Sequence, residues 1–177
     1  MLSTPEYDWE LNVNEGSTVL YHGDKVHIIY SANGSWTQDY CLGKLTATKG
    51  CDYLDKSNWT KSTTAVFSKR AGAYGPGHCS FTKDYTGEYD LICYHATTNA
   101  SEKWVNRFLR YQPVAWHGDE PVLGAPRPIT RTTTTDALDL TADWSPSTTI
   151  TNTLVSLPYA QSVTYNGSAQ SPKATTN

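Results

Sequence analysis

A weak internal repeat constrains this chain more than any other feature. The segments EGSTVLYHGDKVHIIYSA (residues 15–32) and HCSFTKDYTGEYDLICYHA (residues 78–96) each read as strand, polar turn and strand, and each ends in Tyr-x-Ala. Runs rich in Val, Ile, Tyr and Phe favour extended backbone, and the HGDK and KDYTGE clusters favour turns. Each hairpin is followed by a third run of the same kind, at 40–47 and 107–116, and by a fourth short run near 65–67 and 121–123. No stretch within 17–123 carries a 3.6-residue apolar period, so the expected class is all-β. Four-stranded antiparallel units recurring at about 63 residues are the organisation of propeller blades. A ring closes with about four to eight blades, so two units predict an arc of a propeller rather than a whole one.

The repeat also aligns two polar residues. Glu15 and His78 both begin the first strand of their unit, the strand that lines the central channel of a propeller. Side chains at equivalent innermost positions converge on one axis, and convergent polar groups at a channel mouth are a default site.

Composition narrows the function classes. The net charge is -3 across 177 residues, with Lys and Arg scattered, which argues against nucleic-acid binding. No run of eighteen apolar residues is present, and MLSTPEYDWELNV has neither a basic nor an apolar leader segment. The expectation is a soluble chain with no membrane span and no visible export signal. Cys41, Cys51, Cys79 and Cys93 are too widely spaced for a CxxC metal or redox motif. Cys79 and Cys93 could face each other across the hairpin centred near Thr86, where a cross-strand disulfide would be possible. Twelve Tyr and six Trp suit both sheet packing and stacking on sugar rings.

After Pro128 the composition changes. Residues 129–160 are Thr-rich with few large apolar side chains and are expected to be a disordered linker. Residues 161–177 regain a strand and an Asn-Gly turn signal, and look like the opening of a bacterial immunoglobulin-like repeat. Residues 1–128 would then form the β region.

Within that region an ordered set of motifs points further. VNEG before a hairpin ending in YSA, then WTQDYCLGKL, SNWTKSTTAVF, YGPGHCSF, ICYHA, WVNRFLRYQPVAW and PVLGAPRP resembles the C-terminal part of glycoside hydrolase family 43. The resemblance implies a five-bladed β-propeller that cleaves α-L-arabinofuranosides or β-xylosides in plant cell-wall polysaccharide by inversion. It also implies three essential carboxylates, a general base, a pKa-tuning acid and a general acid. The Glu of the family's NEG motif is Glu15, which takes the role of general acid. Such a group must keep its proton at working pH, and burial beside another carboxylate would achieve this.

His78 in GPGHCSF matches the family's channel histidine, which helps organise a calcium ion and its waters. Arg107 in WVNRFLR matches an arginine facing the sugar, and Trp36 and Tyr40 in GSWTQDY are candidates for a sugar-stacking wall. No organic cofactor is implied. The partner implied is an arabinose- or xylose-containing oligo- or polysaccharide, and the family implies an extracellular setting. His95 reads as a packing residue, while Glu6, Asp8 and Glu10 read as solvated loop charges.

The family's base and tuning acid lie ahead of NEG, and only fourteen residues precede Glu15 here. The expectation is a truncated chain, inactive or nearly so by itself. The rival expectation is a non-catalytic carbohydrate-binding unit that keeps the aromatic wall.

Overall fold

The computed structural model describes residues 1–129. The Thr-rich stretch and the immunoglobulin-like opening expected beyond residue 128 lie outside the described residues. No helix among the described residues is long and apolar enough to cross a membrane.

The first unit is a four-stranded antiparallel sheet in sequence order: β1 (Asn14–His22), β2 (Lys25–Ala32), β3 (Cys41–Thr48) and β4 (Thr60–Lys61). The second is a three-stranded sheet of β5 (Tyr74–Lys83), β6 (Asp90–Thr97) and β7 (Phe108–Pro113), followed by the hairpin β8 (Ala115–His117) and β9 (Glu120–Val122). The HGDK turn joins β1 to β2, with Val19 opposite Ile28, and residues 84–89 join β5 to β6, with Phe81 opposite Ile92.

Both fourth strands differ from expectation. In the first unit Thr60 and Lys61 pair with β3, and Phe67 makes only an isolated bridge to Leu42. In the second unit residues 120–122 pair with β8, not with β7. The segment after β9 is fastened to the sheet by side chains instead of a ladder. Gln112 donates to the carbonyls of Leu123 and Ala125, the Tyr94 hydroxyl accepts from the Arg127 amide, and buried Arg110 donates to the carbonyls of Gly72, Thr97 and Arg127. Val-Leu-Gly-Ala-Pro carries two prolines around it and cannot sustain a full ladder, so buried polar side chains satisfy its backbone instead.

Alternation along the strands builds two cores. Ile29 and Leu42 face Phe67, Cys79, Ile92, Tyr94, Ala96, Val114 and Leu123, which joins the two units. Tyr30, Cys41 and Leu45 point to the opposite face of the first sheet, where Trp9 and Trp59 cover them. The β8–β9 hairpin ties the units at the far end. His22 stacks on Trp116 at 3.8 Å, and the His27 ring contacts the Asp119 carbonyl at 2.8 Å.

The register sets where a site can lie. Asn14 pairs with Ala32 and Ala32 with Cys41, so the start of β1 and the loop 33–40 share one end of the first sheet. Tyr74 pairs with Thr97 and Ala96 with Phe108, which puts the loop 98–107 at the corresponding end of the second.

Candidate active site

At that end the two first strands depart from regular geometry, and both departures involve candidate residues. The β1–β2 ladder is interrupted between Glu15 and Thr18, where Gly16 has φ +54°. The β5–β6 ladder is interrupted on both sides of Gly77, and His78 has φ 50°. A non-glycine residue in the left-handed region costs of the order of 1 kcal/mol or more and persists only where its surroundings hold it. Here the His78 amide donates to Ser31 Oγ at 2.7 Å, and Ser31 is the ladder partner of Glu15. The His78 ring lies over Gly16, because a Cβ at that position would fall 2.9 Å from His78 Nδ1. Glu15 and His78 are thus brought to one place by the two bulged strands.

Glu15 itself is exposed. Burial of the carboxyl, expected from its role, is not provided by the described residues. Its carboxyl is fixed by one neighbour: Tyr40 Oη donates to Glu15 Oε1 at 2.7 Å. Burial pushes the Tyr40 phenol well above its ordinary pKa, with the Glu15 carboxylate adding to the rise and Ser31 working against it. Tyr40 therefore stays a proton donor throughout the working pH range.

Tyr40 does not join a sugar-stacking wall. Its side chain is buried, His95 stacks on its ring at 5.8 Å and 7°, and a Cβ at Gly77 would fall 2.2 Å from Tyr40 Cε1. Aromatic surface enclosed in this way cannot receive a ligand ring. What Tyr40 offers the site is its hydroxyl.

His95 packs, as expected, and it also meets the charged part of the site. Its Nε2 lies 3.5 Å from Arg107 Nη1, and its buried Nδ1 has no hydrogen-bond partner among the described residues. Burial, then the guanidinium of Arg107 and the nearby His78, pull its pKa down to about 4. The ring is neutral at neutral pH and sits between Tyr40 and the guanidinium without adding charge. Arg107, just ahead of β7, donates through Nη2 to the Ser35 carbonyl, and its charge reaches both Tyr40 and Glu15.

Trp36 lies on the loop 33–40 and is 47% exposed, so its surface is open to a ligand. It meets Trp104 edge to face, with centroids 6.1 Å apart, and Trp104 Nε1 donates to Ser35 Oγ at 3.2 Å. Trp104 carried no expectation of its own. The signal that could have found it is its position in the loop between second and third strands, the place Trp36 holds in the first unit.

Glu10 is the clearest departure. It is fully buried rather than solvated, and its carboxylate accepts from the amides of Glu6 and Tyr7, Asn14 Nδ2, Tyr30 Oη and Lys61 Nζ. Burial alone would raise its pKa, but these donors outweigh burial and hold it at about 2. Asn14, one of the donors, immediately precedes Glu15. The charged member of the set cannot be read near Glu10 in sequence, because Lys61 comes from β4.

The cross-strand disulfide that the hairpin left possible is not formed. Cys93 pairs with Ser80, Cys79 points into the core, and all four cysteines are free thiols. A one-residue offset in register turns the two sulfurs to opposite faces.

Calcium takes about six to eight oxygen ligands. Among the described residues no three of His, Cys, Asp and Glu gather to hold a metal ion.

Comparison with known proteins agrees with the geometry. The family model described as glycosyl hydrolases family 43 matches residues 1–122. An extracellular exo-alpha-(1->5)-L-arabinofuranosidase of Streptomyces avermitilis is 40% identical over 136 residues, covering 71% of this chain and 28% of that protein. Alpha-L-arabinofuranosidase B of Pyricularia oryzae is 33% identical over 139 residues, covering 72% and 28%. Among solved structures, the alpha-L-arabinofuranosidase from Lactobacillus brevis matches with a TM-score of 0.70 and 37% identity, covering 74% of this chain and 43% of that one. The chain spans less than a third of the length of these curated relatives. The two sheets correspond to blades of a five-bladed propeller and do not close a ring by themselves.

Proposed function

The chain belongs to family 43 of the glycosyl hydrolases, and from that premise we propose that Glu15 is the proton donor of a glycosidase site for α-L-arabinofuranosides. β-Xylosides are the second substrate class. The observation that carries this reading is the Tyr40 hydrogen bond. It occupies Oε1, and Oε2 accepts no hydrogen bond from the described residues, so we assign Oε2 to carry the proton to a leaving group. In hydrolysis with inversion, that proton passes to the glycosidic oxygen as its bond to the anomeric carbon breaks. A water on the opposite face gives its proton to a base and forms the new C–O bond. The two groups found to interact with Glu15, Tyr40 and Arg107, are not carboxylates. We therefore propose that the described residues supply the proton donor but not the base or the tuning acid, and that the 177 residues alone, without the rest of a family 43 propeller, turn over substrate slowly or not at all.

Arg107 supplies donors for ring hydroxyls, and Trp36 supplies the stacking surface. His78 lies over Gly16, next to Glu15 in β1. A calcium ion there would take mostly oxygen ligands, with His78 as an accessory ligand or a partner of its waters, and no step depends on it. An extracellular setting follows as a proposal, since the Streptomyces relative is named extracellular.

The test is a chimera in which residues 1–122 replace the matching part of the Lactobacillus brevis enzyme. It is expected to cleave 4-nitrophenyl α-L-arabinofuranoside, release product of inverted anomeric configuration by NMR, and lose turnover by orders of magnitude with Glu15→Gln. A folded chimera that keeps full activity with Glu15→Gln overturns the assignment. Turnover at a normal enzymatic rate by the 177-residue chain overturns the proposed inactivity. A second reading, a unit that binds pentose chains without cleaving them, is favoured by the open Trp36 surface and gains if binding survives Glu15→Ala.

A further inference from the structure

The hydroxyl of Ser31, a fully buried residue, meets two groups of the candidate site at once. It accepts from the His78 amide at 2.7 Å and is also a hydrogen-bonding partner of the Tyr40 hydroxyl. Tyr40 Oη in turn donates to Glu15 Oε1 at 2.7 Å. Chemistry fixes the direction of each bond. A backbone amide can only donate, so Ser31 Oγ accepts from His78 and keeps its own proton for another partner. The single proton of Tyr40 is committed to the Glu15 carboxyl, so between Ser31 and Tyr40 it is the serine that donates. The order is then His78 N–H to Ser31 Oγ, Ser31 O–H to Tyr40 Oη, and Tyr40 O–H to Glu15 Oε1.

Both units contribute to this chain of bonds. Ser31 is the ladder partner of Glu15 on β2, Tyr40 ends the loop 33–40, and His78 belongs to β5. The left-handed backbone of His78 interrupts the β5–β6 ladder and gives its amide to Ser31, so the strain at this residue serves the contact. We propose that Ser31 is a positioning residue for the proton donor: it keeps Tyr40 Oη donating to Glu15, so that the chain from His78 favours the negative charge forming on Glu15 as its proton leaves. This rests on the reading of Glu15 as proton donor and adds the residue that sets the polarity behind it. Donors in series polarise one another, and a low-dielectric setting strengthens each bond. Ser31 is 0% and Tyr40 1% exposed, so bulk water does not compete for either residue.

Two measurements test this. The first is NMR of the 177-residue chain. Wild type is expected to show a slowly exchanging Tyr40 hydroxyl proton. Ser31→Ala should speed that exchange roughly tenfold, the loss of about one hydrogen bond, and move the Glu15 carboxyl carbon signal in the same direction as Tyr40→Phe. In the Tyr40→Phe background, Ser31→Ala should move the Glu15 signal no further, because its route to Glu15 is gone. Ser31→Cys keeps a small side chain with a weak donor and should fall between wild type and Ser31→Ala. The second measurement is turnover by the Lactobacillus brevis chimera, where Ser31→Ala is expected to lower kcat roughly three- to tenfold at nearly unchanged KM. Rapid exchange of the Tyr40 hydroxyl in wild type, or a Glu15 signal that neither Ser31→Ala nor Ser31→Cys moves, overturns the role of Ser31 and leaves the reading of Glu15 intact. An unchanged kcat in Ser31→Ala, where Glu15→Gln abolishes turnover, does the same. Full activity with Glu15→Gln overturns the donor reading and the proposal that rests on it.

Discussion

Tyr40 Oη donates to Glu15 Oε1 at 2.7 Å from a ring that His95 and Gly77 enclose. A buried phenol therefore orients an exposed carboxyl. Tyr40→Phe keeps the packed ring and removes only the hydroxyl, so its expected cost is about 1 kcal/mol of stability. Tyr40→Ala also empties the ring's place and is expected to cost roughly 3–5 kcal/mol. Urea unfolding of both variants checks this, and equal losses would mean that the hydroxyl, not the packing, dominates.

Glu10 and His95 predict two separate losses of stability on acidification. His95 has its pKa pulled below the ordinary histidine value, to about 4. The unfolded chain then binds a proton that the folded chain refuses, and stability falls as pH drops from about 6.5 toward 4. His95→Gln should flatten that part of the profile. The Glu10 carboxyl, held at about 2, stabilises the fold above its unfolded value and loses that contribution as pH falls through the interval down to about 2. Thermal midpoints measured from pH 7 to pH 2 separate the two intervals.

Lys61 is the charged partner of Glu10 at 2.8 Å, and the Glu10 side chain has no exposed surface. Lys61→Met leaves a buried carboxylate without its cation and is expected to destabilise by roughly 3 kcal/mol at pH 7. Lys61→Met/Glu10→Gln should recover part of that loss. A double variant no more stable than the single one would show that the ion pair is not the source of the effect.

Gly16 occupies φ +54° directly beneath the His78 ring. Gly16→Ala combines an unfavourable backbone conformation with a Cβ 2.9 Å from His78 Nδ1, and about 1–3 kcal/mol of destabilisation is expected. Chemical-shift changes at His78 should accompany it, since the ring must move to admit the methyl group.

Because Cys79 and Cys93 are free and out of register, a reducing agent is expected to leave the thermal midpoint unchanged. A fall of several degrees on reduction would show a disulfide that this register does not permit.

Much of the architecture was legible because it depends on local pattern. Alternation placed β1, β2, β5 and β6, and the HGDK turn fixed the first hairpin within a residue. The fourth strands were not legible in the same way. The short runs at 65–67 and 121–123 have strand propensity, but which edge they pair with depends on packing elsewhere, and β9 pairs with β8. At the candidate site the sequence brought Glu15, His78 and Arg107 into view through their motifs, while Trp104 stood unremarked inside one of them.

What the sequence determined is the set of groups available: an all-β chain with a repeat that starts two strands on polar residues, and motifs that tie it to one glycosidase family. Tertiary structure decided what each group does. It closed a five-donor cage around Glu10 with Lys61 from a distant strand, and buried Tyr40 so that its hydroxyl rather than its ring reaches Glu15. Strand periodicity is written into neighbouring residues, whereas burial and ion pairing arise between residues tens of positions apart, where only the folded chain brings them within hydrogen-bonding distance.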